Sequence, residues 1–125
     1  MGQEEYLEDQ RNRLEYLVTD IIAMPDADDR MLAVTEILTE TEIIPEIGRN
    51  YTFIYAPKTP RIRYDQFPLI ACVNLFEWGF RGMNYHWPAF RNYTWEEVIG
   101  YLHVAYPLEM TDLRSIPYQN FKINN

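Results

Sequence analysis

Apolar positions recur at helical spacing over the first third of the chain and at strand spacing beyond it. Leu7, Leu14 and Ile21 fall seven residues apart, Leu17 and Val18 fill the same stripe, and Glu5, Glu8, Asp9, Arg11 and Arg13 occupy the other faces. That period predicts an amphipathic helix facing a core. Pro25 ends it and pushes Met24 away from helical angles. Asp26 then stands where a helix cap is wanted, and Asp28 and Asp29 suit the positive end of the dipole. Met31, Leu32, Val34, Ile37 and Leu38 supply the second apolar face, which runs to about Glu40. Two helices joined at a Pro-Asp corner predict an antiparallel hairpin or a bent pair.

The regime changes at Pro45 and Gly48. Tyr51, Phe53 and Tyr55 alternate with Thr52, Ile54 and Ala56, the period of a strand. The two prolines of 57–60 make a turn, and Arg61, Ile62, Arg63 and Tyr64 restart an extended segment. Residues 69–78 form the strongest buried-strand candidate, and Gly79 and Gly82 predict a hairpin with positive backbone angles before 83–87. Thr94 and Glu97 have capping-box spacing, which predicts a short helix over 95–100. Residues 102–104 read as a short strand, 108–113 as a helical turn, and 118–123 as an extended tail. The expected class is α+β. An acidic helical arm or hairpin (1–49) precedes an aromatic-rich, small antiparallel β-meander or half-barrel with short C-terminal helices (50–125). No Gly/Ser linker divides the two, so they form one compact unit.

Charge and composition narrow the classes of function. The net charge is −8, but residues 1–49 carry −9 and residues 50–125 carry +1. An acidic arm on a near-neutral body is ill suited to phosphate backbones, and suits solubility or a basic protein surface. Cys72 is the only cysteine, which excludes an internal disulfide and a cysteine-cluster zinc site. No apolar run approaches the roughly 20 residues of a membrane-spanning helix. The polar, acidic first ten residues are unlike a signal peptide, and Tyr6 occupies the Ser/Thr position of a myristoylation motif.

Candidate chemistry is sparse. His86 and His103 are the only histidines and lack metal-ligand spacing; His86, between Tyr85 and Trp87, reads as a hydrogen-bonder of core or interface. Asp65, Glu77 and Glu97 could be assembled into an acid pair, as in any acidic protein. Asp65, three residues before Pro68, reads as a turn cap or a partner of Arg61, Arg63 or Arg81. Ser115 lacks a nucleophile-elbow context, and Cys72 reads as a small apolar filler. Gly79 to Gly82 lack phosphate-loop spacing. The sequence therefore points to no cofactor, no metal and no catalytic group. Residues 51–87, by contrast, hold ten of the chain's 19 Phe, Tyr and Trp residues. Lys58, Arg61, Arg63, Arg81 and Arg91 lie among or beside them, a composition of protein interfaces more than of nucleic-acid platforms. Tyr55, Arg61, Arg63, Trp78, Arg81 and Trp87 are the expected interface anchors.

Three strings carry a resemblance: Tyr51-x-Phe53-x-Tyr55-x-Pro57-Lys58-Thr59, then Tyr64-Asp65-x-Phe67-Pro68-Leu69, then Gly79-Phe80-Arg81-Gly82-x-Asn84-x-His86. Their order resembles small proteins of contractile-tailed bacteriophages, the marine, cyanobacterium-infecting groups foremost. The resemblance covers residues 51–87 and leaves the acidic arm uncovered. It implies a phage gene product made in the host cytoplasm and carried in the virion. Its partners would be other phage structural proteins in a symmetric assembly of several copies, with no membrane contact. It implies no catalytic residues. The alternative expectation is an intracellular accessory protein that binds a replication factor or single-stranded DNA. A hydrolase using His86 with Asp65 or Glu77 ranks behind both.

Overall fold

A computed structural model describes residues 12–55, 68–85 and 89–116. Elements follow the chain as α1 (Val18–Ala23), α2 (Ala27–Ile37), β1 (Thr41–Glu42), β2 (Asn50–Tyr55), β3 (Leu69–Leu75), β4 (Gly79–Asn84), β5 (Phe90–Thr94) and β6 (Val98–Ala105). A 3-10 turn, Pro107–Glu109, leads into α3 (Met110–Ser115). All strand pairings are antiparallel, in the order β1-β6-β2-β3-β4-β5. The class is α+β, with helices before the sheet and a short helix after it.

The sheet is strongly curled. Phe53 on β2 and Tyr93 on β5 have ring centroids 5.2 Å apart, edge to face, although two strands lie between them. In a flat sheet three strand spacings would separate them by about 14 Å. Phe80 on β4 completes the cluster, 5.8 Å from Phe53 and 5.2 Å from Tyr93. Tyr51, Ile70, Cys72, Leu102, Val104 and Tyr106 surround these rings in one buried core.

Local features let the sheet bend. On β6, residues 100–102 stand opposite the single Phe53, because Thr52 pairs with His103 and Ile54 with Ile99. Gly100 sits in this bulge at φ +83°, an angle that glycine adopts without strain. A second register shift falls between Cys72 and Asn74. Gly79 and Gly82 act differently from the sequence expectation. Neither has a positive φ, and both lie inside β4. They permit close approach: a Cβ on Gly79 would stand 1.9 Å from the Tyr93 carbonyl oxygen, and one on Gly82 would stand 3.0 Å from Cβ of Ile70.

The segment after β5 also differs. Thr94 and Glu97 do exchange capping bonds, 3.0 Å from the Thr94 N–H to Glu97 Oε1 and 3.3 Å from the Glu97 N–H to Thr94 Oγ1. These bonds close a three-residue turn between strands rather than opening a helix. Val98 and Ile99 are β-branched and pair with Tyr55 and Ile54, so of the residues assigned by spacing to a helix, 95–97 form the turn and 98–100 open strand β6, which runs for eight residues.

The outer face of the sheet carries a second core. Leu14, Ile21, Met31, Val34 and Leu38 from the N-terminal region meet Leu69, Ala105, Leu113 and Ile116. Of the expected stripe, Leu14, Ile21, Met31, Val34 and Leu38 are buried, Leu17 and Leu32 face solvent, and Leu7 lies outside the described residues. Met24 before Pro25 is extended, at ψ 131°, as expected. The first helix is shorter than its periodicity suggests: within the described residues it begins only at Val18. Tertiary bonds hold the residues before it. Glu109 is fully buried, and its carboxylate accepts from Arg13 Nε at 2.8 Å, Arg13 Nη2 at 2.8 Å and the Arg13 N–H at 2.8 Å. The Tyr106 N–H adds a fourth bond at 2.9 Å. Arg13 also donates to the Val104 carbonyl at 3.0 Å and lies 4.1 Å over the Tyr106 ring. Burial works against the Arg13 charge, yet Glu109 outweighs it and raises the guanidinium above its ordinary pKa.

A second polar cluster fastens β1 and the loop behind it. Arg49 donates to Glu42 at 2.8 Å and to Glu40 at 3.3 Å, and lies 3.7 Å from Glu46. The Tyr106 hydroxyl donates to Glu40 and the Tyr51 hydroxyl to Glu42, while the Glu46 N–H donates to the Tyr51 oxygen at 2.7 Å. Burial first, and then the bond to Glu42, raise the Tyr51 hydroxyl above the ordinary tyrosine pKa.

Glu109→Ala leaves Arg13 largely buried without its counter-ion and should lower urea-measured stability by about 3–5 kcal/mol. The raised Tyr51 value means that the folded state holds this proton more tightly than the unfolded state does. Its contribution is complete below about pH 10 and is lost as pH climbs through the folded value. Tyr51→Phe should therefore flatten the fall in stability measured by urea unfolding above about pH 10.

Candidate functional site

The helices cover only part of the outer sheet face. Among the described residues, the part they do not cover, over β3, β4 and β5, carries aromatic side chains. The β3–β4 hairpin turns tightly, with the Phe76 N–H donating to the Gly79 carbonyl at 2.8 Å. This turn places Phe76 and Trp78 face to face, ring centroids 4.7 Å apart and planes 5° from parallel. Trp78 is 44% exposed. The guanidinium of Arg81 stands 5.6 Å from the Phe76 ring centroid, and its Nε donates to Asn92 Oδ1 at 3.0 Å. Asn92 is the direct cross-strand partner of Arg81, and Phe90, 67% exposed, is the partner of Met83. The hairpin tip is also tied to the β5–β6 turn, because the Trp95 Nε1–H donates to the Glu77 carbonyl at 2.8 Å.

Of the six expected anchors, the structure brings Trp78 and Arg81 together, through Phe76. The backbone of Tyr55 ends β2 opposite Val98, and its side chain is outside the described part. Arg61, Arg63 and Trp87 lie outside the described residues, as do Lys58, Asp65 and His86. Sequence reasoning missed Phe76, Phe90 and Asn92. Phe76 was legible as the residue two before Trp78; Phe90 and Asn92 depend on a register fixed only by folding.

The residues considered for chemistry have structural roles where they are described. His103 Nδ1 lies 2.8 Å from the Leu38 carbonyl oxygen and ties β6 to the end of α2. Cys72 is buried in the inner core, and burial pushes its thiol above the ordinary pKa, which disfavours the reactive thiolate. The Ser115 hydroxyl donates to the Asp112 carbonyl at 2.6 Å. Glu97 serves the turn at Thr94, and Glu77 is exposed at the hairpin tip. Among the described residues, no three His, Cys, Asp or Glu side chains group closely enough to hold a metal ion. Among the described residues, no helix is long and apolar enough to cross a membrane.

The arrangement defines an α+β domain with a rigid aromatic–arginine face. Comparison with protein-family models, curated proteins and solved structures gives no match for this chain.

The face and the core respond differently to truncation. Trp78→Ala removes one exposed stack and should lower stability by only about 1 kcal/mol. Phe80→Ala opens the inner core and should cost about 3–5 kcal/mol, read from the same denaturation curves.

Proposed function

We propose that this protein is a non-enzymatic structural subunit of a bacteriophage virion, in its tail, baseplate or neck. It is present there in several copies and joins neighbouring phage structural proteins. The observation that carries this reading is the Phe76–Trp78 stack with Arg81 beside it, held in the open on a short hairpin. Exposed tryptophan and arginine on a rigid frame supply most of the energy in protein interfaces and lose little freedom on docking. The phage setting rests on the resemblance across residues 51–87. The apolar stripe of the helical arm is used within the chain's own core, so the arm offers neighbours its solvent face, where Glu15, Asp20, Asp29 and Glu36 are exposed. That face suits a basic neighbouring surface.

The same stack also favours a second reading, an accessory protein that binds single-stranded DNA or a replication factor, since bases stack on exposed rings beside arginine. Glu77 at the hairpin tip and the net charge of −8 weigh against nucleic acid.

Mass spectrometry of purified particles of the encoding phage should find this polypeptide in structural amounts. A Trp78→Ala/Arg81→Ala variant should fold, by circular dichroism, and be missing from particles. Absence of the unaltered chain from particles would sink the virion reading, and a salt-dependent gel shift with single-stranded DNA would favour the second one.

A further inference from the structure

The free hydrogen-bonding groups of the aromatic–arginine face indicate the chemistry of its partner, an inference that rests on the docking role proposed above. A guanidinium has five N–H donors and no acceptor, and Arg81 uses its Nε donor on Asn92 Oδ1 at 3.0 Å. Among the described residues, no acceptor bonds its Nη1 or Nη2 and no carboxylate pairs with it. Glu77 is the single acid of residues 68–94, and it stands exposed at the hairpin tip without an ion pair to Arg81. The bond also orients Asn92, an exposed residue of β5. With Oδ1 accepting, the amide keeps Nδ2 as its other end, and among the described residues Nδ2 donates to no acceptor. Every unpartnered polar group of this pair is therefore a donor, and one of the two side chains is a full cation. A carboxylate matches such a fork with two parallel bonds.

The fork is held before any partner arrives. Arg81 and Asn92 face each other directly across β4 and β5, and β3 flanks β4 on its other side. The guanidinium lies 5.6 Å from the Phe76 ring centroid, and that ring stacks on Trp78. A side chain already fixed loses little freedom on binding. Apolar surface stands at both ends of it. Trp78, 44% exposed, precedes β4 at the hairpin tip, and Phe90 lies opposite Met83, two residues beyond Arg81 on the same face.

Charge separates the possible occupants. A basic segment would set like charge against Arg81. Phosphates would accept from it, but a chain of net charge −8 does not offer the track of cations that a nucleic-acid backbone needs. A second copy of this chain would bring a further −8. We infer that the face binds a segment of a partner protein in which an aspartate or glutamate side chain stands beside an apolar one. The carboxylate accepts from Nη1 and Nη2 of Arg81, and the apolar neighbour covers Trp78.

Three C-terminally amidated peptides test this on the full chain. Each reads Ser-Gly-Leu-X-Phe-Gly-Ser, with X glutamate, glutamine or lysine. Proton–nitrogen NMR should show the glutamate peptide shifting the Trp78 indole N–H and the Arg81 Nε–H. The glutamine peptide should bind about tenfold more weakly, and the lysine peptide should not bind. Added salt should weaken the glutamate peptide. Arg81→Ala should erase the preference for glutamate over glutamine. Asn92→Asp should erase it too, although the arginine remains, because a carboxylate of the chain's own then takes the guanidinium. Circular dichroism should be unchanged in both variants. Absence of shifts, equal binding of the glutamate and glutamine peptides, or a preference that survives Arg81→Ala would overturn the proposal. So would tighter binding of a thymidine decamer at the same two signals, or a dimer in sedimentation that Arg81→Ala dissolves. Those results would assign the face to single-stranded DNA or to a second copy. Glutamate-selective binding by a chain that is absent from particles would uphold this inference and sink the virion reading. A chain present in particles that binds no peptide would do the opposite.

Discussion

Contact between Phe53, Phe80 and Tyr93 across the concave side of the sheet is the constraint on which the rest depends. Those rings meet only if β2, β4 and β5 curl towards one another, and the curl needs backbone approaches that side chains would block. Gly79 against the Tyr93 carbonyl and Gly82 against Ile70 supply them. The aromatic content that dominates the sequence is therefore divided by the pleat. One set of rings fills the inside, and the other, Phe76, Trp78 and Phe90, is left outside on the same strands or the turns beside them. A rigid exterior patch is a by-product of a rigid interior.

The helices and the sheet meet through a different physics. Leu14, Met31, Val34 and Leu38 provide a non-directional contact, and Arg13 with Glu109 provides a directional one. A buried carboxylate with four donors tolerates little sliding, since any shift would leave bonds unmade in a medium of low dielectric. Apolar burial holds the arm on the sheet, and the ion pair sets where on the sheet it sits. Arg49 with its three glutamates plays the corresponding part for the loop behind β1, nearer to solvent.

Much of this was legible in the residues. The α+β class, the stripe through Leu14, Ile21 and Leu38, the alternation from Tyr51 and the helical turn before Ile116 all follow from periodicity. The misreadings share one cause. Thr94 and Glu97 bond locally as their types dictate, but a local bond does not say whether helix or strand follows, and pairing with β2 decided it. Gly79 and Gly82 announce a special backbone requirement without saying whether it is an angle or a close approach. Composition singled out Trp78 and Arg81 as two of six expected interface anchors, without saying that they stand together. Their neighbours Phe90 and Asn92 come from strand order, which no single segment encodes.

The bond between Arg13 and Glu109 spans 96 residues of sequence. β6, which pairs with both β1 and β2, is likewise synthesised after every other described strand. While the ribosome is still at work, the early segments have hydrophobic stripes but no partner to cover them. Such long-range closure slows folding and prolongs exposure of sticky surface. The acidic charges of the first 49 residues lie on these early segments, and like-charge repulsion opposes association of such segments before the last described strand is made.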